Sequence, residues 1–240
     1  MTVDRTLLAR YLRQLEELGG PTLYLDSWQT DDLLRALRRP ARPTVAVAPP
    51  RDAAPAGTLR VLAQEAAGCV RCRLHEQRRS VVFGEGAAAA ELVVVGEAPG
   101  QEEDRTGRPF VGRAGKMLDL LLMSVGFPRE TVFICNVLKC RPPNNRDPLP
   151  DEVTTCTTIF LHPQLEAISP RVLLAVGKFA AQALLQSEAS IGRMRGRVHS
   201  YRGTPLIVTY HPAFLLRSPN MTRTAWDDFQ LMRKVFDEQI

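Results

Sequence analysis

Short apolar runs alternate with longer amphipathic stretches along most of this chain. The apolar runs are typical of buried parallel strands and cover residues 92–96, 132–137, 172–176 and 206–210. The amphipathic stretches between them predict helices over residues 114–125, 151–168 and 178–186. Because strands that alternate with helices form βαβ crossovers, we predict an α/β fold. The expected architecture is a three-layer α/β/α sandwich around a four-stranded, mostly parallel sheet.

The beginning of the chain follows a different pattern. Apolar positions at helical spacing over residues 4–18 predict an amphipathic helix that ends at a Gly-Gly pair, and a second helix is expected soon after it. A stretch rich in Pro and Ala then indicates a linker. We therefore divide the chain into a helical N-terminal extension (residues 1–38), a linker (residues 39–58) and an α/β domain (residues 59–240).

Composition narrows the class of protein. The apolar fraction of 45% is ordinary for a globular protein, and no apolar run approaches the ~18 residues of a membrane span. The first residues lack the pattern of a secretory signal, so we expect a cytoplasmic protein. The net charge of +5 and a late group of arginines that includes Arg195 and Arg217 favour a polyanionic partner, with a solvated basic face as the alternative.

Four cysteines are spaced as a candidate metal site. Cys69 and Cys72 form a CxxC pair, whereas Cys140 follows the second predicted strand and Cys156 lies in the helix after it. Four soft thiolates suit zinc or a [4Fe–4S] cluster equally well on spacing alone. A reducing compartment argues against disulfides, and the fifth cysteine, Cys135, has a strand position typical of a core thiol.

Polar and glycine-rich motifs lie at the carboxyl ends of the predicted strands. The segment Gly-Glu-Ala-Pro-Gly-Gln-Glu-Glu-Asp (residues 96–104) carries too many acidic side chains for a phosphate cradle, and Phe110 follows as a core residue or a stacking platform. Asn136 ends the second strand, where its amide either caps a loop or reads a base edge. His211 follows the last strand, where it could donate to a developing anion. Ligands bind at this rim of such sheets, so the motifs predict one active site.

Together these motifs resemble the family 4 uracil-DNA glycosylases, which carry an iron–sulfur cluster. The resemblance rests on GEAPGQEED, on GRPFVGRAG, on the Asn136 strand with Lys-Cys-Arg-Pro-Pro-Asn-Asn-Arg after it, and on His-Pro-Ala at residues 211–213; it covers residues 69–217. It implies that residues 59–240 flip deoxyuridine out of DNA and hydrolyse its N-glycosidic bond, leaving an abasic site for base excision repair. It also implies that a [4Fe–4S] cluster, rather than zinc, is held by Cys69, Cys72, Cys140 and Cys156.

The resemblance assigns four residues to the uracil pocket. Phe110 would stack on the uracil ring, and Asn136 would hydrogen-bond the N3/O4 edge, a pattern that cytosine reverses. Glu103 would fill the space into which the methyl group of thymine projects. Ala98 stands where better-known branches of the superfamily carry a water-activating Asp.

Two residues are assigned to the chemistry and three to DNA. His211 would hydrogen-bond O2 of the departing uracil, and Glu97 would position water or stabilise the sugar cation, with Glu103 and Asp104 as alternatives. The expected DNA contacts are Leu215 as a wedge in the base stack, and Arg217 and Arg195 on phosphates.

Several questions stay open at the level of sequence. We expect a nucleoid-associated monomer that acts on single- or double-stranded DNA. The N-terminal extension either docks a repair or replication partner or serves as a tether, and other deaminated bases such as hypoxanthine are alternative substrates. The competing functions are a non-turnover or covalent uracil-DNA binding protein of the same superfamily and a zinc-stabilised nucleic-acid module without catalysis.

Overall fold

Six strands form one mixed sheet in the computed structural model, which describes residues 54–238. The strands are Glu85–Gly86 (β1), Leu92–Gly96 (β2), Phe133–Asn136 (β3), Val172–Val176 (β4), Val198–Tyr201 (β5) and Thr204–Thr209 (β6). Their order across the sheet is β1-β3-β2-β4-β6-β5. The four predicted strands, β2, β3, β4 and β6, form its parallel centre. Val94 of β2 is aligned with Ile134 of β3. Leu173 of β4 is aligned with Val93 of β2 on one side and with Leu206 of β6 on the other.

The predicted number of strands is wrong because both edge strands were missed. β1 and β5 pair antiparallel with β3 and β6. β1 has only two residues, and β5 is mostly exposed, so neither carries the buried apolar run that marks a central strand. Short and polar strands of this kind are typical of sheet edges.

Helices cover both faces of the sheet. They are Ala54–Ala67 (α1), Gln101–Thr106 (α2), Arg113–Ser124 (α3), Pro150–Cys156 (α4), His162–Ile168 (α5), Lys178–Leu185 (α6), Ile191–Met194 (α7), Pro212–Arg217 (α8) and Thr222–Glu238 (α9). Alternate strand residues point to opposite layers: Val93 and Val95 pack with α1, α5 and α6, whereas Leu92 and Val94 pack with α3, α8 and α9. The predicted three-layer α/β/α sandwich is therefore confirmed.

Some helices differ from the sequence-based expectation. The single helix predicted over residues 151–168 is divided into α4, a π-helical turn at Thr157–Leu161, and α5. π-Helical turns are rare in proteins, but those that occur are often found at functional sites. This one begins directly after Cys156. The helices α2, in the acidic segment, and α9, which is long and amphipathic, were not predicted.

The predicted N-terminal extension, residues 1–38, and most of the linker lie outside the described residues. α1 begins at Ala54, so the end of the stretch predicted as linker is helical. Its Leu59 is buried in the core cluster that also contains Leu74 and Val93. Within residues 54–238, no helix is both long and apolar enough to cross a membrane.

Candidate active site

A cleft of about 410 Å³ opens at the carboxyl ends of the parallel strands. Its walls come from the segments that follow β2, β3 and β6, and from the start of α3. The lining residues are Glu97, Ala98, Pro99, Gly100, Glu103, Phe110, Ala114, Asn136, Pro142, Asn145, Arg146, Asp147, His211, Ala213 and Arg217. The structure thus brings together every residue that sequence analysis assigned to the uracil pocket or to the chemistry, apart from the alternative base Asp104.

Phe110 and Asn136 meet over Gly96, the last residue of β2. A Cβ atom at this glycine would lie 2.4 Å from Asn136 Oδ1 and 2.5 Å from Phe110 Cζ. Only a glycine therefore lets the ring and the amide approach each other here. The Phe110 ring also lies beside His211, with ring centroids 5.7 Å apart. The flat ring, the amide and the imidazole share one end of the cleft.

Glu103 fixes the loop that carries Phe110. Its Oε1 accepts hydrogen bonds from the backbone N–H groups of Val111 (2.9 Å) and Gly112 (3.0 Å). A carboxylate that accepts two backbone donors holds the chain in one conformation. Glu103 also lines the cleft, as expected for a residue that limits the size of the base. Its contacts add a positioning role that the sequence did not indicate.

Arg129 holds the same loop from the carbonyl side. Its guanidinium donates to the carbonyl oxygens of Pro109 (2.6 Å) and Phe110 (3.2 Å) and pairs with Asp119 at 2.9 Å. The Phe110 backbone needs such support because its φ of 50° lies in the left-handed region, which non-glycine residues rarely adopt. Gly115 makes room for it, since a Cβ there would lie 1.8 Å from the Phe110 carbonyl oxygen. Sequence analysis missed Arg129, which lies in a turn without a recognisable motif.

Asn136 presents an unpaired polar atom at the cleft. The residue is 1% exposed, and its Oδ1 has no hydrogen-bond partner among the described residues. Buried polar groups are nearly always paired, so an orphan at the wall of a cleft points to a ligand. An amide can offer one acceptor and one donor to the edge of a flat heterocycle.

His211 is held as a neutral donor. Its Nδ1 accepts a hydrogen bond from the backbone N–H of Ala213 at 3.1 Å, which caps α8. Burial, with a smaller contribution from the Arg217 cation, lowers the pKa of His211 to about 4. The ring is therefore uncharged at neutral pH. Because Nδ1 is the acceptor, the proton is on Nε2, which is left to donate.

Glu97 titrates near neutrality. Burial raises its pKa to about 7, with a further contribution from the carboxylate of Asp147, while the Lys178 cation opposes the shift. Perturbed carboxyl groups of this kind cluster in active sites. Asp147 lines the same cleft, and sequence analysis missed it because it ends a loop dominated by arginine and proline.

Asp104, the alternative general base, lies away from the cleft. Its carboxylate is 3% exposed and accepts the backbone N–H groups of Arg79 (2.9 Å) and Ser80 (3.3 Å). It therefore fixes the segment before β1, and it does not line the cleft. Ala98 does line the cleft, where its methyl group has no means of activating water.

Two of the three residues predicted to contact DNA are buried or paired with another side chain. Leu215 is 1% exposed and packs in the core beneath α8, so it cannot enter a base stack without unpacking that core; Leu216, beside it, is half-buried. Arg195 forms a fork with both oxygens of the buried Asp228 at 2.9 and 2.8 Å, so its guanidinium is not free for a phosphate. Arg217 is exposed at the rim of the cleft and remains a candidate.

The four spaced cysteines line a second cavity, in the layer that contains α1 and α5. Cys69, Cys72, Cys140 and Cys156 surround it, and its volume is about 20 Å³. The other lining residues are Ala66, Arg71, His75, Arg78, Lys139, Thr155 and Phe160. Cys135 is buried in the core elsewhere, as predicted. Among residues 54–238, no group of three or more Cys, His, Asp or Glu side chains is arranged to hold a single metal ion.

N–H donors are directed at two sulfur atoms of this cavity. Arg78 donates to Cys140 Sγ at 3.3 Å, and the backbone N–H of Lys139 donates to Cys156 Sγ at 3.3 Å. Burial nevertheless raises the thiol pKa values of Cys72 and Cys140, and it raises that of Cys156 to about 12. The thiols are therefore protonated at neutral pH unless a bound cation makes thiolates of them.

Comparisons with known proteins agree with this geometry. A family model described as the uracil DNA glycosylase superfamily matches residues 83–230. The chain is similar to a type-4 uracil-DNA glycosylase of Archaeoglobus fulgidus, with 44% identity over 70% of this chain and 88% of the relative. It is also similar to type-4 uracil-DNA glycosylases of Thermotoga maritima, with 44% identity over 72% and 91% of the two chains, and of Sulfurisphaera tokodaii, with 40% identity over 74% and 84%.

Proposed function

This chain belongs to the uracil-DNA glycosylase superfamily, as its motifs predicted, and we propose that it removes uracil from DNA. The enzyme takes a flipped-out deoxyuridine into the cleft and hydrolyses its N-glycosidic bond, which leaves an abasic site for base excision repair. The observation that carries this proposal is the unpaired Oδ1 of Asn136, which lies near the Phe110 ring at the end of β3. Residues 59–240 act as the glycosylase domain in this proposal.

Uracil is recognised by shape and by one edge. Phe110 stacks on the ring, while Asn136 accepts from N3–H through Oδ1 and donates to O4 through Nδ2. Cytosine presents an acceptor at N3 and a donor at its amino group. It would therefore place an acceptor against Oδ1 and a donor against Nδ2, and neither hydrogen bond could form. Glu103 positions the Phe110 loop and occupies the side of the cleft where a thymine methyl would project.

His211 stabilises the leaving group. The reaction moves negative charge onto uracil as the glycosidic bond breaks, and the Nε2–H of the neutral imidazole donates to O2 where that charge accumulates. The hydrogen bond from the Ala213 N–H to Nδ1 supports this role because it fixes the tautomer and the ring orientation before substrate binds.

Glu97 acts on the sugar side of the bond. As a carboxylate it stabilises the cationic sugar and orients the attacking water. The proximity of Asp147 and the partial burial support this assignment, because a pKa of about 7 suits a base near neutral pH. Ala98, at the position where better-known branches carry an aspartate, has no carboxylate for that role.

DNA is held at the rim of the cleft in this proposal. Arg217, which is exposed, contacts a phosphate, and the half-buried Leu216 replaces Leu215 as the apolar residue nearest the base stack. Flipping costs a few kcal/mol and is easiest for a mispaired base, so mispaired uracil should be excised faster than paired uracil.

The four cavity cysteines fit a [4Fe–4S] cluster. All the donors are thiols, and two N–H groups already point at their sulfur atoms, as clusters require of their surroundings. When bound, the cluster joins the Cys69–Arg78 segment to the loop after β3, and it takes part in no step of the hydrolysis. Iron and sulfide analysis of the purified protein, with its visible spectrum, separates the cluster from zinc.

The activity is tested with oligonucleotides that contain one uracil. We expect strand scission after alkali and release of free uracil, in single-stranded and in double-stranded substrates. Matched thymine and cytosine oligonucleotides should stay intact. Protein that binds the uracil strand, with or without a covalent adduct, but releases no base would contradict the enzyme and favour the non-turnover binder.

Asn136→Ala tests recognition of the base edge. This variant should lose uracil excision far more than it loses DNA affinity, because phosphate contacts supply most of the binding. The measurements are single-turnover excision rates and fluorescence anisotropy on the same oligonucleotide. Equal losses in both would remove Asn136 from base recognition.

A further inference from the structure

Lys139 is a buried cation whose role the glycosylase chemistry leaves unexplained. It begins the basic segment of residues 139–146 that follows β3, yet the side chain is 1% exposed. Its Nζ donates to the backbone oxygen of Asn136 at 2.8 Å and to Oε1 of Gln164 at 2.7 Å. Gln164 is itself held by a hydrogen bond from Nε2 to the Phe83 carbonyl oxygen.

No carboxylate offsets this charge. Within residues 54–238, Lys139 forms hydrogen bonds to neutral oxygens and lies over the Phe83 ring at 5.7 Å, but it forms no ion pair. A buried charge without a counter-charge is costly, and several kcal/mol are lost when one partner of a buried pair is missing. A negatively charged group bound near Lys139 would therefore stabilise the folded protein.

The cysteine cavity is where that negative charge can be bound. Lys139 lines it, and its backbone N–H donates to Cys156 Sγ. Its neighbour in sequence, Cys140, is a second member of the thiol set. A [4Fe–4S] cluster with four thiolate ligands carries a net negative charge, whereas four protonated thiols carry none. Lys139 thus contacts both Cys156, through its backbone N–H, and the backbone oxygen of Asn136, through Nζ.

We propose that Lys139 is the buried counter-cation of the iron–sulfur cluster and that it joins the cluster to the strand end that reads uracil. The inference rests on the proposed cluster. Two effects follow. The cation stabilises the charged cluster in the core, and the cluster in turn keeps Lys139 in place to hold the Asn136 carbonyl.

Lys139→Met tests the proposal, since it removes the charge and keeps the length of the side chain. Addition of an electron to an already negative cluster becomes harder without the cation, so the reduction potential of the cluster should shift to a more negative value. The variant should also lose its visible absorption faster in the presence of an iron chelator. Both readouts are independent of uracil excision.

Lys234→Met is the matched control. It removes the same unit charge from α9, where the Lys234 side chain is 73% exposed, and it should leave potential and cluster retention unchanged. Equal potentials and equal chelation rates for wild type, Lys139→Met and Lys234→Met would overturn the proposal. Wild-type protein without iron would instead refute the proposed cluster, whatever the result for uracil excision.

Gln164→Glu keeps the test decisive if Lys139→Met does not fold. The change preserves side-chain shape and supplies a carboxylate at the position of the atom that now lies 2.7 Å from Nζ. This carboxylate neutralises Lys139 locally, so the potential should again become more negative. A potential that stays at the wild-type value in this variant would overturn the role of Lys139 as counter-cation.

Discussion

The cleft and the cysteine cavity both adjoin the carboxyl end of β3, but their side chains are fixed in different ways. In the cleft, the orienting bonds are already made: Ala213 fixes His211, and Glu103 and Arg129 hold the Phe110 loop. In the cavity, burial favours protonated thiols, and the one buried cation has no carboxylate partner within residues 54–238. Folding alone orients the cleft residues, whereas under the proposed function the thiols of the cavity become ligands only when a cluster binds.

This difference predicts how each region responds to mutation. A change in the cleft should reduce catalysis and leave the fold intact, because the groups are fixed by local backbone hydrogen bonds. A change in the cavity should reduce stability first and catalysis second, because a bound metal centre contributes directly to folding.

His211→Ala should give the largest catalytic loss. Removal of one preorganised donor to a developing anion typically lowers kcat by about 10²–10³-fold. His211→Asn separates the two roles of the ring, since Asn can keep the helix cap but cannot place a donor at the position of Nε2. We expect single-turnover rates of both variants to be low and melting temperatures to be close to wild type. Recovery of activity in His211→Asn would show that only the cap matters.

Cys140→Ser should separate the cavity from the cleft. Loss of one thiolate should remove the visible absorption of the cluster and lower the melting temperature, with excision falling only as folded protein is lost. Cys135→Ser is the control, because this buried thiol does not line the cavity. Equal effects of the two substitutions on absorption would contradict the assignment of the ligands.

The sequence predicted the cleft better than it predicted the ways in which the cleft is held. Gly96 and Asn136 end central strands and His211 lies two residues after one. Central strands carry buried apolar runs that are easy to recognise. The carboxyl ends of parallel strands meet at one rim, so their grouping followed from topology. Boundaries of β2 and β4 were predicted to the residue.

Tertiary contacts explain what the sequence could not predict. Burial of Leu215 and Lys139 depends on packing across layers, and no pattern in the short segments after β6 and β3 shows which of their side chains are buried. The pairing of Arg195 with Asp228 joins residues far apart in the chain, so no local pattern marks it. Arg129 acts through backbone carbonyls, which carry no sequence signature.

Arg129→Ala should loosen the Phe110 loop and have a moderate effect. The guanidinium donates to two carbonyls, and hydrogen bonds to charged groups contribute about 1.5–3 kcal/mol, so we expect excision to fall about tenfold or somewhat more. Arg129→Lys should recover part of the rate because one donor can still reach. Arg105→Ala is the control, since its side chain pairs with Glu102 at the surface. A normal rate for Arg129→Ala would mean that Glu103 alone positions the loop.

Asp147→Asn should give the smallest effect, a shift in pH dependence. The carboxylate of Asp147 raises the pKa of Glu97, although burial is the larger cause, so the substitution should lower that pKa from about 7 by only part of the shift. If the ionised form of Glu97 is the active one, excision in wild type increases as pH rises through about 7, and in Asp147→Asn it increases at lower pH. Asp151→Asn, an exposed residue paired with Arg73, should leave the profile in place. An acid limb that survives in Glu97→Gln would assign the titration to another group and remove Glu97 from the water-positioning role.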